Sequence, residues 1–305
     1  MQKTFFLLLL SFSISFSAPI DSSSKTAQPI IQASALPADT TEFSPLKFGL
    51  FTGISTTATF YMFYTLLSEA WWNNKSRIDF HFEDDLTYVS NYDKLAHYYG
   101  GYAVASLMAD GLMWSGLSPH ASYASAWGYS SAVQLVIDIK DGYSEGFGFS
   151  KWDVIGGSLG GATPWIEYAI WGHEQEQVDL KFSYYRNSTI YEEEAGTSLG
   201  FDDYTNQTMW VSYYPFLKSK DYFKRIFGIA IGFSMDEGRF TRGYGEGKWE
   251  VYLALDYNIE EMFFSKKRSP FIKGLLRYLN HLKLPSPTVQ VYPVRSFKLT
   301  YPIEF

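Results

Sequence analysis

The chain has 305 residues, 46% hydrophobic and 19% charged, with 25 basic against 32 acidic side chains and no cysteine. Its length supplies one or two domains with ample core, and its apolar content excludes a wholly disordered chain. The absence of cysteine excludes disulfide staples, thiolate metal sites and a cysteine nucleophile. A net charge of −7 leaves no basic surplus for a nucleic-acid backbone, so no nucleic-acid partner is expected. The outlying figure is the ring content of 24 Tyr, 25 Phe and 9 Trp. Membrane interfaces and β-barrels use rings more freely than soluble cores do.

Met1-Gln2-Lys3 carries one positive charge ahead of a short apolar stretch containing Leu7 to Leu10, and small residues follow at Ser15, Ser17 and Ala18. This is the pattern of a secretory signal peptide over residues 1–17. Residues 18–44, rich in Ser, Ala, Gln, Pro and Thr, read as a flexible tether. Without cysteine, no lipidated N-terminus is expected.

Residues 45–173 predict a helical domain. The uncharged run Phe48 to Ser68, between Lys47 and Glu69, is long enough to cross a hydrocarbon core of about 30 Å, though Thr, Ser and Gly dilute it. Between Lys94 and Asp138 the only formally charged residue is Asp110. That interval holds two helical patterns, Asp93 to Trp114 and Ala121 to Ile139, separated by Gly116-Leu117-Ser118-Pro119. A fourth helix is predicted from Lys151 to about Ile170, with Ser150 as N-cap and Asp153 three residues on. Gly156/Gly160 and Gly157/Gly161 are each four apart, which admits a neighbouring helix closely. The expectation is a bundle of about four apolar helices, either soluble or membrane-embedded.

Residues 174–305 predict an antiparallel β region, either an open sheet or a small barrel, interrupted by one amphipathic helix. Val178 to Tyr184 and Val251 to Ile259 alternate with period two, and Met209 to Tyr214 and Gly228 to Ser234 read as further strands. Pro270 sits at the start of the helix behind a Ser269 cap, with Leu275, Leu276, Leu279 and Leu282 as its apolar stripe. In the final stretch Phe297, Leu299, Tyr301, Ile303 and Phe305 face one side, and Lys298, Thr300, Pro302 and Glu304 the other. That pattern is similar to the terminal strand by which outer-membrane barrels are assembled, and also to an ordinary edge strand. The fold class is therefore α+β.

Candidate chemistry centres on Asp93, Lys94 and His97, because Asp93 and His97 share one helical face. Asp138 and Asp141 end the third helix, and Ser150 and Asp153 open the fourth. An antiparallel bundle brings these groups to one end. Three uses stay open. The first is a structural network, with Asp138 pairing Lys94 and Asp93 capping its helix. The second is a divalent-cation or ligand site on His97, Asp93, Asp138 and Asp141, and the third is a catalytic centre. No other cofactor is expected. Asp110 reads as a buried partner or a cavity marker. His81, His120, His173 and His281 read as surface or interfacial residues, and Glu192 to Glu194 as a solvated loop.

The DKxxH stretch at Asp93 to His97, the step Asp138 to Asp141, and Gly148-Phe149-Ser150-Lys151-Trp152-Asp153 resemble the YfiM-like predicted periplasmic lipoproteins. VanZ-like membrane proteins share a looser version. The resemblance covers roughly Asp84 to Pro164 and implies an exported envelope protein. It departs at the missing lipidation cysteine and at Asp138, where the family carries Glu. The expected function is non-enzymatic: a structural or lipid-interacting protein at the periplasmic face of the outer membrane or within that membrane. Lipid and an envelope protein are the expected partners. The alternative is a metal-dependent hydrolase or binding protein acting on lipid or cell-wall intermediates.

Overall fold

Ser44 opens the first helix, its hydroxyl oxygen accepting from the Lys47 amide while Pro45 occupies the first turn. This computed structural model describes residues 42–172, 177–189, 203–238, 247–263 and 270–303. The signal segment and most of the tether lie outside the described residues, as do His173, Glu192 to Glu194, Ser269, Glu304 and Phe305. Helix α1 (Pro45–Tyr61) runs into a π-helical stretch, Met62–Trp72. The uncharged run Phe48 to Ser68 straddles that junction. No helix among the described residues is long and apolar enough to cross a membrane, since threonine, serine and glycine hold the hydropathy of this run down.

Helices α2 (Tyr92–Trp114), α3 (Pro119–Asp141) and α4 (Lys151–Trp171) pack on one another. Glycine decides how closely. A Cβ added to Gly160 would lie 1.8 Å from the Tyr98 carbonyl oxygen, and one on Gly101 would lie 1.9 Å from that of Gly157. The Gly156/Gly160 ridge therefore takes the backbone of α2. The Gly157/Gly161 ridge meets α3 at Gln134 and Ser130. This near contact of backbones sets the head of α4 beside Lys94 and His97.

Six strands follow: β1 (Val178–Tyr184), β2 (Gln207–Tyr213), β3 (Phe227–Met235), β4 (Trp249–Tyr257), β5 (Ser286–Tyr292) and β6 (Ser296–Tyr301). They pair antiparallel in chain order as one open sheet. Among the described residues three helices lie between strands: α5 (Tyr222–Ile226), α6 (Ile259–Met262) and α7 (Pro270–Asn280). Ile259 starts α6 instead of extending β4, because the Asn258 side chain accepts from the Glu261 amide and caps the turn. β5 arises just past Pro285, where the prolines hid a strand from periodicity. The sheet curls enough for the rings of Trp210 on β2, Tyr252 on β4 and Tyr301 on β6 to form one buried cluster.

The polarity of this sheet is inverted. Lys181, Ser212, Ser234, Asp256 and Thr288 are at most 1% exposed on its inner face. Lys181 and Lys283 both pair with Asp256, at 3.2 and 3.4 Å. Asn280 receives the Lys181 ammonium and donates to Asp179 at 2.6 Å. Val211, Ile231, Leu253, Val289 and Phe297 are exposed on the other face. The terminal alternation is broken too. A one-residue register shift against Ser286 to Thr288 turns Tyr301 inward, 6% exposed, while Phe297 and Leu299 stay outside at 66% and 67%.

Sheet and helices meet around Val89, Tyr92, Tyr204, Met209 and Met235. The Tyr92 hydroxyl donates to the carbonyls of Gln207 and Phe233, and Tyr99 stacks on Phe182. Asp110 resolves as a half-buried ion-pair partner, its carboxylate 3.0 Å from Arg277 of α7. His281 is not a surface residue: it is buried with its ring edge-on to Tyr102.

The glycine contacts give opposite expectations at two helical positions. Gly160→Ala forces backbone apart and loses about 1–3 kcal/mol. Gly128→Ala meets nothing within 4 Å and gains roughly 0.5–1 kcal/mol. Denaturant midpoints check both, and equal effects would contradict the packing described.

Candidate functional site

The site begins with a loop that carries no helical or strand pattern. Residues 76–83 are zipped by backbone hydrogen bonds to the turn 142–149: Ile78 N–H to Tyr143, His81 N–H to Gly142 and Glu83 N–H to Phe149. Phe80, Phe82, Tyr143 and Phe149 pack edge to face or tilted along this seam. The loop then delivers Asp85 to the head of α4. On the other side, Val89, Ser90 and Asn91 take left-handed conformations, with φ of 48°, 52° and 69°. Such a run is strained for non-glycine residues. Burial of Val89 and the bond from the Trp249 indole to the Ser90 carbonyl hold it in place.

From that turn α2 projects Asp93, Lys94 and His97. The Lys94 ammonium lies 2.6 Å from Asp85, 2.7 Å from Asp93 and 2.5 Å from Asp153. The Ser150 hydroxyl donates to Asp85 at 2.5 Å and accepts from the Asp153 amide at 3.2 Å. The Ser150 amide donates to Asp138 Oδ1 at 3.3 Å. His97 Nδ1 faces Gln134 Oε1 at 2.9 Å. This turns Nε2 toward Asp93 Oδ1 at 3.8 Å and Asp153 Oδ2 at 3.7 Å. Tyr204 donates to the same Asp93 Oδ1 that faces His97.

Asp93, Lys94, His97, Asp138, Ser150 and Asp153 therefore share one locus. Asp141 sits to the side, receiving the Trp72 indole N–H at 2.7 Å. Two details differ from expectation. Lys94 pairs with Asp85, Asp93 and Asp153 and not with Asp138, because the zipped loop brings Asp85 closer. Asp93 lies inside the first turn, and the cap position belongs to Asn91. Asp85, Gln134 and Tyr204 carried no signal: Asp85 sits on an irregular loop, Gln134 is neutral, and Tyr204 is distant in sequence.

The electrostatics follow from crowding. Burial pushes the Asp138 carboxyl up to about 8, with Asp153 and Asp141 adding to the rise and His97 opposing it. Burial likewise lifts Asp141 and Asp153 to about 7. Asp93 goes the other way: burial alone would raise it, but His97 and Lys94 hold it below the usual carboxylate range. Burial would lower His97, yet Asp93, Asp153 and Asp138 outweigh that and bring it to about 9. One ligand atom each from Asp93, His97 and Asp153 lies within 4.8 Å of the others. The arrangement can thus hold protons or a cation between α2 and α4.

Residues 80–169 match the model of a family described as a predicted periplasmic lipoprotein (DUF2279). The matched span includes the loop and helices that carry Asp85, Asp93, Lys94, His97, Asp138, Asp141, Ser150 and Asp153, and it ends before the sheet. No curated protein and no solved structure matches the chain.

Raised values in the folded state mean that folding takes up protons, so stability is fullest below the unfolded values and lost as pH rises through the folded ones. Asp138, Asp141 and Asp153 lose their contribution between about pH 4 and 8, and His97 between about 6.5 and 9. In EDTA, denaturant midpoints should fall between about pH 6.5 and 8, the interval in which neither His281, lowered to about 4, nor Lys283, lowered to about 8, works against the fall. Asp138→Asn should flatten the lower part of that slope. A midpoint that climbs with pH in that interval would contradict the assignment.

Proposed function

We propose that the chain is an exported envelope protein that acts without catalysis, resting the outer face of its sheet on the acyl chains of the outer membrane. One row of directly paired residues carries the reading. Val211 pairs with Ile231, Ile231 with Leu253, Leu253 with Val289 and Val289 with Phe297, and all five are at least 40% exposed. A parallel row joins Tyr213, Ile229 and Leu255, again exposed. Five strands spaced about 4.8 Å apart make the first row roughly 19 Å wide. Scattered apolar side chains are ordinary on a protein surface, whereas a continuous face of this kind marks a contact surface.

The inner face argues that the contact is lipid. A sheet with water on one side buries its apolar face and wets its polar one. Here the charged and hydroxyl-bearing residues are enclosed and the aliphatic ones point outward, the polarity of a lipid-facing sheet. Ile155, Leu159, Ile166 and Ile170 add a second exposed apolar stripe along α4. Export rests on the signal-like residues 1–17, on the YfiM-like motifs of the helical region, and on the description of the family matched there.

Fractionation of cells expressing the full chain tests the reading. The protein should sediment with membranes through high salt and be released by detergent. The double variant Ile231→Lys/Leu253→Lys places two ammoniums on the lipid face, at about 2–4 kcal/mol each near a bilayer midplane. It should move to the soluble fraction at least tenfold, while keeping its circular dichroism. Wild-type protein recovered wholly in the soluble periplasm would refute the proposal.

A further inference from the structure

We infer that Asp93, His97 and Asp153, with Asp138 beside them, form a binding site for a first-row divalent cation, Zn²⁺ by preference, where α2, α3 and α4 meet. The inference stands apart from the membrane reading and rests on different residues.

Orientation comes first. Lys94 engages Asp93 Oδ2 and Asp153 Oδ1; Asp153 Oδ2 and Asp93 Oδ1, the latter also accepting from Tyr204, are the oxygens nearest His97 Nε2. Those separations of 3.8 and 3.7 Å exceed hydrogen bonds. They are close to what two donors adopt across one ion with metal–ligand bonds of about 2.0–2.2 Å. Gln134 Oε1 faces His97 Nδ1 at 2.9 Å. A bond donated from Nδ1–H fixes the tautomer that frees the Nε2 lone pair, as an outer partner does for a metal-bound imidazole.

A second observation, independent of this triad, points to a missing positive charge. Asp138 is 1% exposed, and its Oδ2 has no hydrogen-bond partner. Its other oxygen is anchored by the Ser150 amide at the head of α4, and its charge acts on His97 and Asp153. Buried carboxylate oxygens are rarely left unpaired. Asp85, Asp93, Asp138 and Asp153 stand against the Lys94 ammonium and the imidazole of His97. A divalent ion that takes the place of the His97 proton offsets most of the remaining acidic surplus, with the Asp138 carboxylate beside the triad as a neighbouring charge. One imidazole with carboxylates suits Zn²⁺ better than the all-oxygen preference of Mg²⁺ or Ca²⁺. This set differs from the one expected from sequence: Asp153 joins Asp93 and His97, whereas Asp138 stands beside them and Asp141 is engaged by Trp72.

The test uses the full chain in detergent, stripped with EDTA and titrated with ZnCl₂ by calorimetry. One equivalent should bind, and the thermal midpoint should rise with each tenfold increase in free Zn²⁺. His97→Ala should weaken binding more than about 100-fold, and Gln134→Ala, acting through the imidazole, about 10–100-fold. His120→Ala, outside the cluster, should change nothing. Asp153→Asn keeps shape and removes charge, so a folded but non-binding variant separates ligation from misfolding. Co²⁺ in place of Zn²⁺ should give a visible ligand-field spectrum that His97→Ala abolishes. Folded wild-type protein that takes up no stoichiometric Zn²⁺ at about 100 µM would overturn the inference, as would binding that His97→Ala leaves intact.

Discussion

The ammonium of Lys94 is the point on which the helical half depends. It is shared by a loop carboxylate, a neighbour on its own helix and the first turn of α4, so three separate stretches of chain meet at one atom. Burying one cation among three carboxylates costs desolvation that a single ion pair does not recover. The surrounding donors make the arrangement tenable: the Ser150 hydroxyl for Asp85, Tyr204 for Asp93 and the Ser150 amide for Asp138. Removing the ammonium alone would leave mutually repelling carboxylates in a closed space. The network fixes geometry first, and any chemistry at His97 inherits that geometry.

The glycine ridges of α4 make this possible. Backbone contact at Gly101, Gly157 and Gly160 brings the helix axes nearer than ordinary side chains permit, and short aspartates can then span the gap. A bundle packed through leucine would separate the same carboxylates beyond shared reach. The left-handed turn at Val89 to Asn91 serves the same end at the other boundary, aiming the first turn of α2 while the sheet holds it through Trp249 and Tyr92. Strain at that turn is offset by contacts from the β region, which couples the site to the sheet.

What sequence could reveal follows the same physics. Asp93 and His97 were legible because helical spacing places them on one face, and Ser150 because capping has a local signature. Asp85 was not, since its position depends on a loop zipped to a turn some sixty residues away. In the strands, period two revealed two unlike faces around Lys181 and Leu253 but could not say which one meets solvent. Alternation is symmetric under that exchange. Only the three-dimensional curl, with Trp210, Tyr252 and Tyr301 in one cluster, shows that the polar side is the inside. The register shift that turns Tyr301 inward is equally silent in sequence, because it belongs to the pairing and not to either strand.

The sheet edges determine how an apolar outer face of this kind can meet a membrane. An unpaired strand edge cannot sit in hydrocarbon, where each bare amide or carbonyl goes unsatisfied. The free edge of β1 is partly covered: the Phe182 N–H donates to His281, and the Lys283 N–H returns to Phe182. The segment that makes these bonds continues directly into β5, and the Asn187 side chain reaches the Pro302 carbonyl beyond β6. Coverage of the β1 edge by the connection to β5 competes with pairing between β1 and β6. A curled sheet so arranged encloses its charges and seals one edge without full closure. The helical half covers one end of the outer face at Phe182, Met209 and Phe233, and leaves the row from Val211 to Phe297 uncovered.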